Sequence, residues 1–139
     1  MQSLKSLVKS INLKSKVKFH GTVSDSELHQ YYADADIFIM PSIWEGYGMS
    51  IIEAHYNELP VVASNVGGIV EIIKDGVNGY LCKVRDYNDL AKKMNNLLAL
   101  DSKDFERMGL QSRKKMELEF DEKIVIAKYI NLVNNTVHH

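Results

Sequence analysis

The sequence predicts an α/β domain: a parallel sheet with helices on both faces, followed by a helical C-terminal tail. Three observations predict it. Apolar runs of three or four residues alternate with amphipathic stretches, as strands buried on both faces alternate with crossover helices. Gly, Pro or Asp punctuates the ends of these runs, where a strand must turn into a helix. Beyond Asp86 the apolar spacing stays helical. The 139 residues with 45% hydrophobic content suffice for one compact domain spanning 1–139.

In order, Met1–Ile11 reads as a helix with Leu4, Leu7, Val8 and Ile11 on one face, and Val17–His20 as a short strand ending at Gly21. Ser24-Asp25-Ser26-Glu27 is a capping-box pattern that opens a helix to about Asp34. Ile37–Met40 is an apolar run stopped by Pro41. A helix follows from Gly48 to Asn57, because Pro60 prevents continuation and Val61–Ala63 reads as the next buried strand. After Gly67-Gly68 come a helical turn through Ile72, the turn Asp75–Gly79 and a strand at Tyr80–Cys82. Asp86 reads as the N-cap of a helix to Leu100, and the remainder to Val137 as helix throughout. In the terminal helix, 121–137, Ile126, Tyr129, Ile130, Val133 and Val137 form one stripe. It packs either on this domain or on a partner.

A formal charge of −1 without a dense Lys/Arg cluster argues against nucleic acid as a partner. The charge is unevenly spread. Residues 1–18 carry five lysines and no acid, whereas Phe19–Ile73 holds eight acids and no Lys or Arg. The lone Cys82 cannot form an internal disulfide and no second Cys offers a metal-pairing spacing, which suits a reducing cytoplasm. No stretch approaches the about 20 apolar residues of a membrane span. His138 and His139 are two terminal histidines with no bearing on a metal site.

In an open parallel sheet, ligands sit beyond the carboxyl ends of the strands, where helix N-termini present free N–H groups to anions. Three stretches fall there: His20–Thr22, Pro41–Tyr47 and Ser64–Gly68. The second continues as Pro41-Ser42-Ile43-Trp44-Glu45-Gly46-Tyr47-Gly48-Met49-Ser50-Ile51-Ile52-Glu53-Ala54. Gly46 and Gly48 flank an aromatic just before the helix, so backbone can approach a ligand while Gly48, Met49 and Ser50 aim amides at it. Trp44 reads as a packing or a sugar-facing residue. Asp34-Ala35-Asp36 imitates a divalent-metal motif, but it precedes its strand and so lies at the wrong end of the sheet; no metal is implied. His55 reads as a packed or surface histidine.

The stretch Pro-Ser-x-x-Glu-Gly-Tyr-Gly-Met-Ser-x-x-Glu-Ala, with Glu45 and Glu53 separated by seven residues, resembles the C-terminal domain of the retaining GT-B-type glycosyltransferases of group 1 (family 4). The likeness extends to Val17–Gly21, Ala35–Ser42, Pro60–Ser64, Gly67–Glu71 and Asp75–Gly79. It implies a Rossmann-like domain, half of a GT-B fold, that binds a nucleoside-diphosphate sugar without a metal or other cofactor. On the matching positions, Glu45 would act beside the donor hexose and Glu53 would bind the ribose hydroxyls. Gly46, Gly48, Met49 and Ser50 would steady diphosphate and sugar, and His20 and Gly21 would lie by the nucleobase. A carboxylate suits a cis-diol, since it accepts two hydroxyl hydrogen bonds.

The resemblance also implies hexose transfer to a glycan or lipid-linked acceptor in polysaccharide biosynthesis, with the acceptor held by an N-terminal domain. The full-length enzyme would be cytoplasmic and peripheral to the membrane. The family's diphosphate-clamping Arg and Lys have no counterpart here. The chain is therefore expected to be a fragment or one half of a split enzyme, inactive and weakly donor-binding by itself, with its terminal helix packing on the other domain or self-associating. A sugar-nucleotide 2-epimerase half and a non-enzymatic binding module are the competing functions.

Overall fold

The computed structural model describes residues 2–137; His138 and His139 lie outside the described residues. The chain divides into two compact units, Met1–Gln30 and Tyr31–His139.

In the first unit, α1 spans Gln2–Ser10 and ends where Asn12 takes a left-handed φ of 62°. Leu4, Leu7 and Ile11 of its apolar stripe are exposed. The Lys5 ammonium stands 5.7 Å from the Phe19 ring centroid, a cation–π distance. Residues 17–20 form no strand, which corrects the sequence expectation. A strand exists through its neighbour's hydrogen bonds, and the pairing among described residues involves only residues from Phe38 onward. The capping box is formed: the Ser24 amide donates to Glu27 Oε2 at 2.8 Å, and the Glu27 amide donates to Ser24 Oγ at 3.4 Å. These Ser24 donors hold the Glu27 carboxyl below its ordinary pKa. The box opens α2, Asp25–Asp34.

The second unit carries a parallel sheet of three strands, β1 (Phe38–Met40), β2 (Val61–Ser64) and β3 (Gly79–Cys82), in the order β1-β2-β3. Register places Ile39, Val62 and Tyr80 side by side. That row faces α5 (Tyr87–Leu98) and α6 (Ser102–Lys115), packing on Leu90, Met94, Leu97, Phe105 and Met108. The alternate residues Val61 and Ala63 point to the opposite face, where α3 (Met49–Tyr56) contacts β1 and β2. β2 is buried at every position, as a central strand covered on both sides must be.

The connections have local causes. Pro41, which lacks an N–H, stops β1. Gly48, at φ 83°, starts α3, and Asn57 and Pro60 close it off. A short helix, α4 (Ile69–Ile72), follows Gly67-Gly68. In the turn before β3, Asn78 is buried, its side-chain amide donating to the Ile72 carbonyl at 3.0 Å and its Oδ1 accepting from the Lys74 amide at 2.7 Å.

Beyond Asp86 the chain is helical in successive segments. Asp86 caps α5 by accepting from the Asp89 amide at 2.9 Å, but α5 ends at Leu98. Asp101 caps α6 afresh through the Asp104 amide at 2.8 Å. A π-helical turn at Met116–Phe120 then leads to α7, Glu122–Val137. α7 contacts that turn, while Ile126, Tyr129, Ile130 and Val133 all stay exposed.

Candidate functional site

Glu45, in the loop after β1, is half-buried, and Glu53, one turn inside α3, is exposed. Each is held by its own donor. Glu45 Oε1 accepts the Gly48 amide at 3.2 Å, so this carboxylate reaches back to the N-cap of α3. Glu53 Oε2 accepts the Tyr32 hydroxyl at 2.9 Å, leaving its outer lone pairs to solvent. The first hydrogen bonds within α3 are donated by Ile51 at 2.9 Å and Ile52 at 3.3 Å, both to the Gly48 carbonyl. The Met49 and Ser50 amides precede them, as first-turn donors do.

The Gly48 amide is donated to Glu45 Oε1 at 3.2 Å. The left-handed N-cap turns that N–H toward the preceding loop, so Met49 and Ser50 are the amides left at the helix start.

Tyr32 is the site residue that sequence reasoning missed. It is buried, with its ring 5.8 Å from that of Phe38. Burial, then the hydrogen bond and the negative charge of Glu53, push its phenol up to about 12. A neutral phenol is therefore a permanent donor to Glu53. The only sequence signal was generic: a tyrosine on a buried helix face needs a partner for its hydroxyl.

Gly67 and Gly68 lock the loop after β2 onto the Glu45 loop. The Gly68 amide donates to the Gly46 carbonyl at 3.2 Å. A Cβ on Gly67, whose φ is 48°, would collide with the Glu45 carbonyl oxygen, and one on Gly68 would come within 2.6 Å of the Gly46 oxygen. Neither glycine is an ordinary turn residue, because both admit backbone against backbone. At Gly46, in contrast, a Cβ would meet only the Trp44 ring, at 3.8 Å. Trp44 is 82% exposed, which removes its packing role. Tyr47 is half-exposed, with its ring 6.3 Å from Phe120.

His20 and Gly21 belong to the first unit, where Gly21 takes a φ of 71° in an irregular segment that does not end a strand. Asp34-Ala35-Asp36 precedes β1 at its amino end. His55 faces inward from α3 and is fully buried. Two cavities, of about 370 and 250 Å³, are lined by Val77 from the turn that enters β3 and by Gln111 of α6, at the amino edge of the sheet. A third, of about 280 Å³, touches Pro41, Ser64 and Cys82, at the carboxyl ends of all three strands.

The loop after the first strand of this parallel sheet thus brings two acids to either side of the start of α3. Residues 1–115 match the glycosyl transferases group 1 family, and the chain belongs to it. The chain is similar to sulfoquinovosyl transferase SQD2 of Arabidopsis thaliana, 37% identical over 116 residues, which cover 81% of this chain and 22% of that protein. Among solved structures it is similar to the C-terminal domain of LpcC, a group 1 family protein from Francisella tularensis, with a TM-score of 0.79 and 29% identity over 87% of this chain and 62% of that one. It is also similar to HepE of Anabaena in complex with UDP and glucose, with a TM-score of 0.85 and 25% identity over 96% of this chain and 36% of that one. The architecture is thus that of a GT-B glycosyltransferase. The chain spans about a quarter of the length of the first curated relatives it matches. Among the described residues no helix is long and apolar enough to cross a membrane.

Proposed function

We propose that this chain supplies the donor-binding portion of a retaining glycosyltransferase that moves a hexose from a nucleoside-diphosphate sugar to an acceptor hydroxyl. The observation that carries the reading is the pairing of two separately held carboxylates with the start of α3. Glu53, fixed by Tyr32, presents acceptor oxygens suited to a ribose diol. The Met49 and Ser50 amides and the positive end of the helix would face the diphosphate, an arrangement worth about 0.3–1 kcal/mol when exposed. Glu45, restrained by Gly48, would orient the hexose, and exposed Trp44 would lie along it.

In this reading no protein nucleophile attacks the anomeric carbon. Rate would come from stabilising the leaving diphosphate, with the attacking hydroxyl approaching on the face it leaves. No metal or cofactor takes part. The acceptor, a glycan or lipid-linked sugar, would be held mostly by protein outside these residues, as would the Arg and Lys that clamp the diphosphate, so the chain by itself binds donor weakly and turns nothing over. The relatives' bound UDP and glucose support a nucleotide-sugar donor, and free buried Cys82 suits a reducing compartment.

Titration with nucleoside diphosphates and their hexose conjugates, followed by emission of the single tryptophan, Trp44, tests this. Hexose conjugates should move the emission more than the bare diphosphate does. Glu53→Gln should weaken both about tenfold, the order of a lost charge-assisted hydrogen bond. Glu45→Gln should weaken only the conjugate. Equal affinity of the Glu53→Gln variant and the parent protein would reject the assignment.

A further inference from the structure

The third cavity does not belong to the Glu45–Glu53 cluster and has chemistry of its own. Its floor is Ser64 and Cys82, the last residues of β2 and β3, and its walls include Pro41, Ile43 and Leu90. Burial pushes the Cys82 thiol up, so the floor is neutral. Its rim carries Lys83 and Arg85. Neither side chain is in an ion pair among the described residues. One carboxylate, Asp86, also lines the cavity; it accepts the Asp89 amide at 2.9 Å, and Asp89 accepts the Lys83 amide at 2.7 Å, so both acids are tied to backbone and not to the two cations. Arg85 also holds a left-handed φ of 58°, where glycine would sit without strain. Exposed Tyr87 completes the rim.

Size and position narrow the occupant. A volume of about 280 Å³ lies at the low end of small-molecule sites, roughly 300 to 1,000 Å³, and suits one sugar unit better than a nucleoside diphosphate. Ile43, which forms a wall, lies in the loop that carries Trp44 and Glu45. A group seated here is therefore next to the loop at which transfer would occur.

We propose that this cavity seats an anionic sugar unit of the acceptor, bearing a phosphate ester or a carboxylate, with Lys83 and Arg85 pairing the charge and Ile43, Pro41 and Tyr87 covering the ring. The inference rests on the transferase reading above, because it names the class of acceptor for that reaction.

Backbone amide NMR of the full chain separates the two sites in one experiment. Glucose 6-phosphate, glucuronate, neutral glucose and inorganic phosphate are titrated in turn, with a nucleoside diphosphate as the donor-site probe. The phosphorylated or the carboxylated sugar should shift Ser64, Lys83, Tyr87 and Leu90, and whichever binds tighter identifies the anion. Neutral glucose and inorganic phosphate should each bind at least tenfold more weakly. An exposed charge pair is worth up to a factor of about five, so the double variant Lys83→Gln/Arg85→Gln should weaken the anionic sugar about ten- to twentyfold. Its nucleotide shifts at Met49, Ser50 and Glu53 should be unchanged, and its spectral dispersion reports that it folds.

Glucose binding as tightly as the charged sugars, inorganic phosphate binding as tightly as glucose 6-phosphate, or a double variant with unchanged affinity would each overturn the proposal. Nucleotide that shifts nothing at 49–53, with anionic sugar still bound, would instead overturn the donor reading and the acceptor role that depends on it.

Discussion

Acid should loosen this protein through His55, ahead of the groups at its surface. The imidazole sits on α3 with 0% exposure, and neither ring nitrogen has a hydrogen-bond partner among the described residues. The Asn78 carbonyl is close enough to favour the charged ring, but it lacks hydrogen-bond geometry and already accepts the Ser112 hydroxyl at 2.9 Å. Burial, aided by the Lys115 ammonium, lowers the His55 pKa from 6.5 to about 4. In the unfolded chain the ring takes a proton near pH 6.5; in the folded chain it resists until about 4. Between those values the unfolded state binds more protons, so stability present above pH 6.5 is lost as pH falls through the folded value. At 1.36 kcal/mol per pH unit the gap amounts to about 3 kcal/mol. A domain this size has only about 5–15 kcal/mol in total. Urea unfolding followed by circular dichroism, at half-unit steps from pH 7 to 4, should show this fall. His55→Leu should lose it, because leucine has nothing to protonate. Glu27, held below its ordinary value, weakens both proteins alike at the acid end and cancels in the difference. Parallel pH curves for parent and variant would refute the argument.

Two substitutions probe how the site is held. Tyr32→Phe removes the donor to Glu53 at 2.9 Å; nucleotide affinity should fall about three- to tenfold for about 1 kcal/mol of lost stability, and an unchanged titration would show that Glu53 needs no positioning. The parent should also lose stability above pH 10, as the medium approaches the phenol's raised value of about 12, and the Phe variant should lose that component. Gly67→Ala drives a Cβ into the Glu45 carbonyl at a left-handed φ of 48°; it should lower stability by roughly 2 kcal/mol or more, visible as a drop in Tm.

Strands whose signal was local were legible in the sequence. Ile37–Met40, Val61–Ala63 and Tyr80–Cys82 are apolar runs with turn chemistry at their ends, and each became a strand within one residue at either end. Val17–His20 carries the same signal and is not a strand, because pairing depends on a neighbour and periodicity says nothing of neighbours. Helix ends were legible where a cap exists, at Ser24 and Asp86. The helix opened by Asp86 reads to Leu100 and ends at Leu98, and the cap that Asp101 gives to a new helix is not legible from apolar spacing alone. The candidate acids were legible only through their motif. Tyr32, 21 residues before Glu53, was not, because their contact exists only once α2 and α3 lie together.

Charge is where sequence and fold differ most. Along the chain, Phe19–Ile73 has acids and no Lys or Arg, which points to a site deprived of positive charge. The parallel sheet changes that account, because it brings the ends of β1, β2 and β3 to one edge whatever their separation in sequence. Lys83 and Arg85, ten and twelve residues past the end of that window, line a cavity with Pro41 and Ile43. The two sides of the Glu45 loop therefore differ in kind. Toward α3 stand amides and carboxylates, which suit hydroxyls and a phosphate held by dipoles. Toward α5 stand two cations with no ion pair among the described residues, over a neutral floor, which suit a charged sugar. A double-mutant cycle between Glu53 and Lys83 puts this division to a number: the two losses in ligand affinity should add within about 0.5 kcal/mol, and stronger coupling would mean that one ligand spans both sides of the loop.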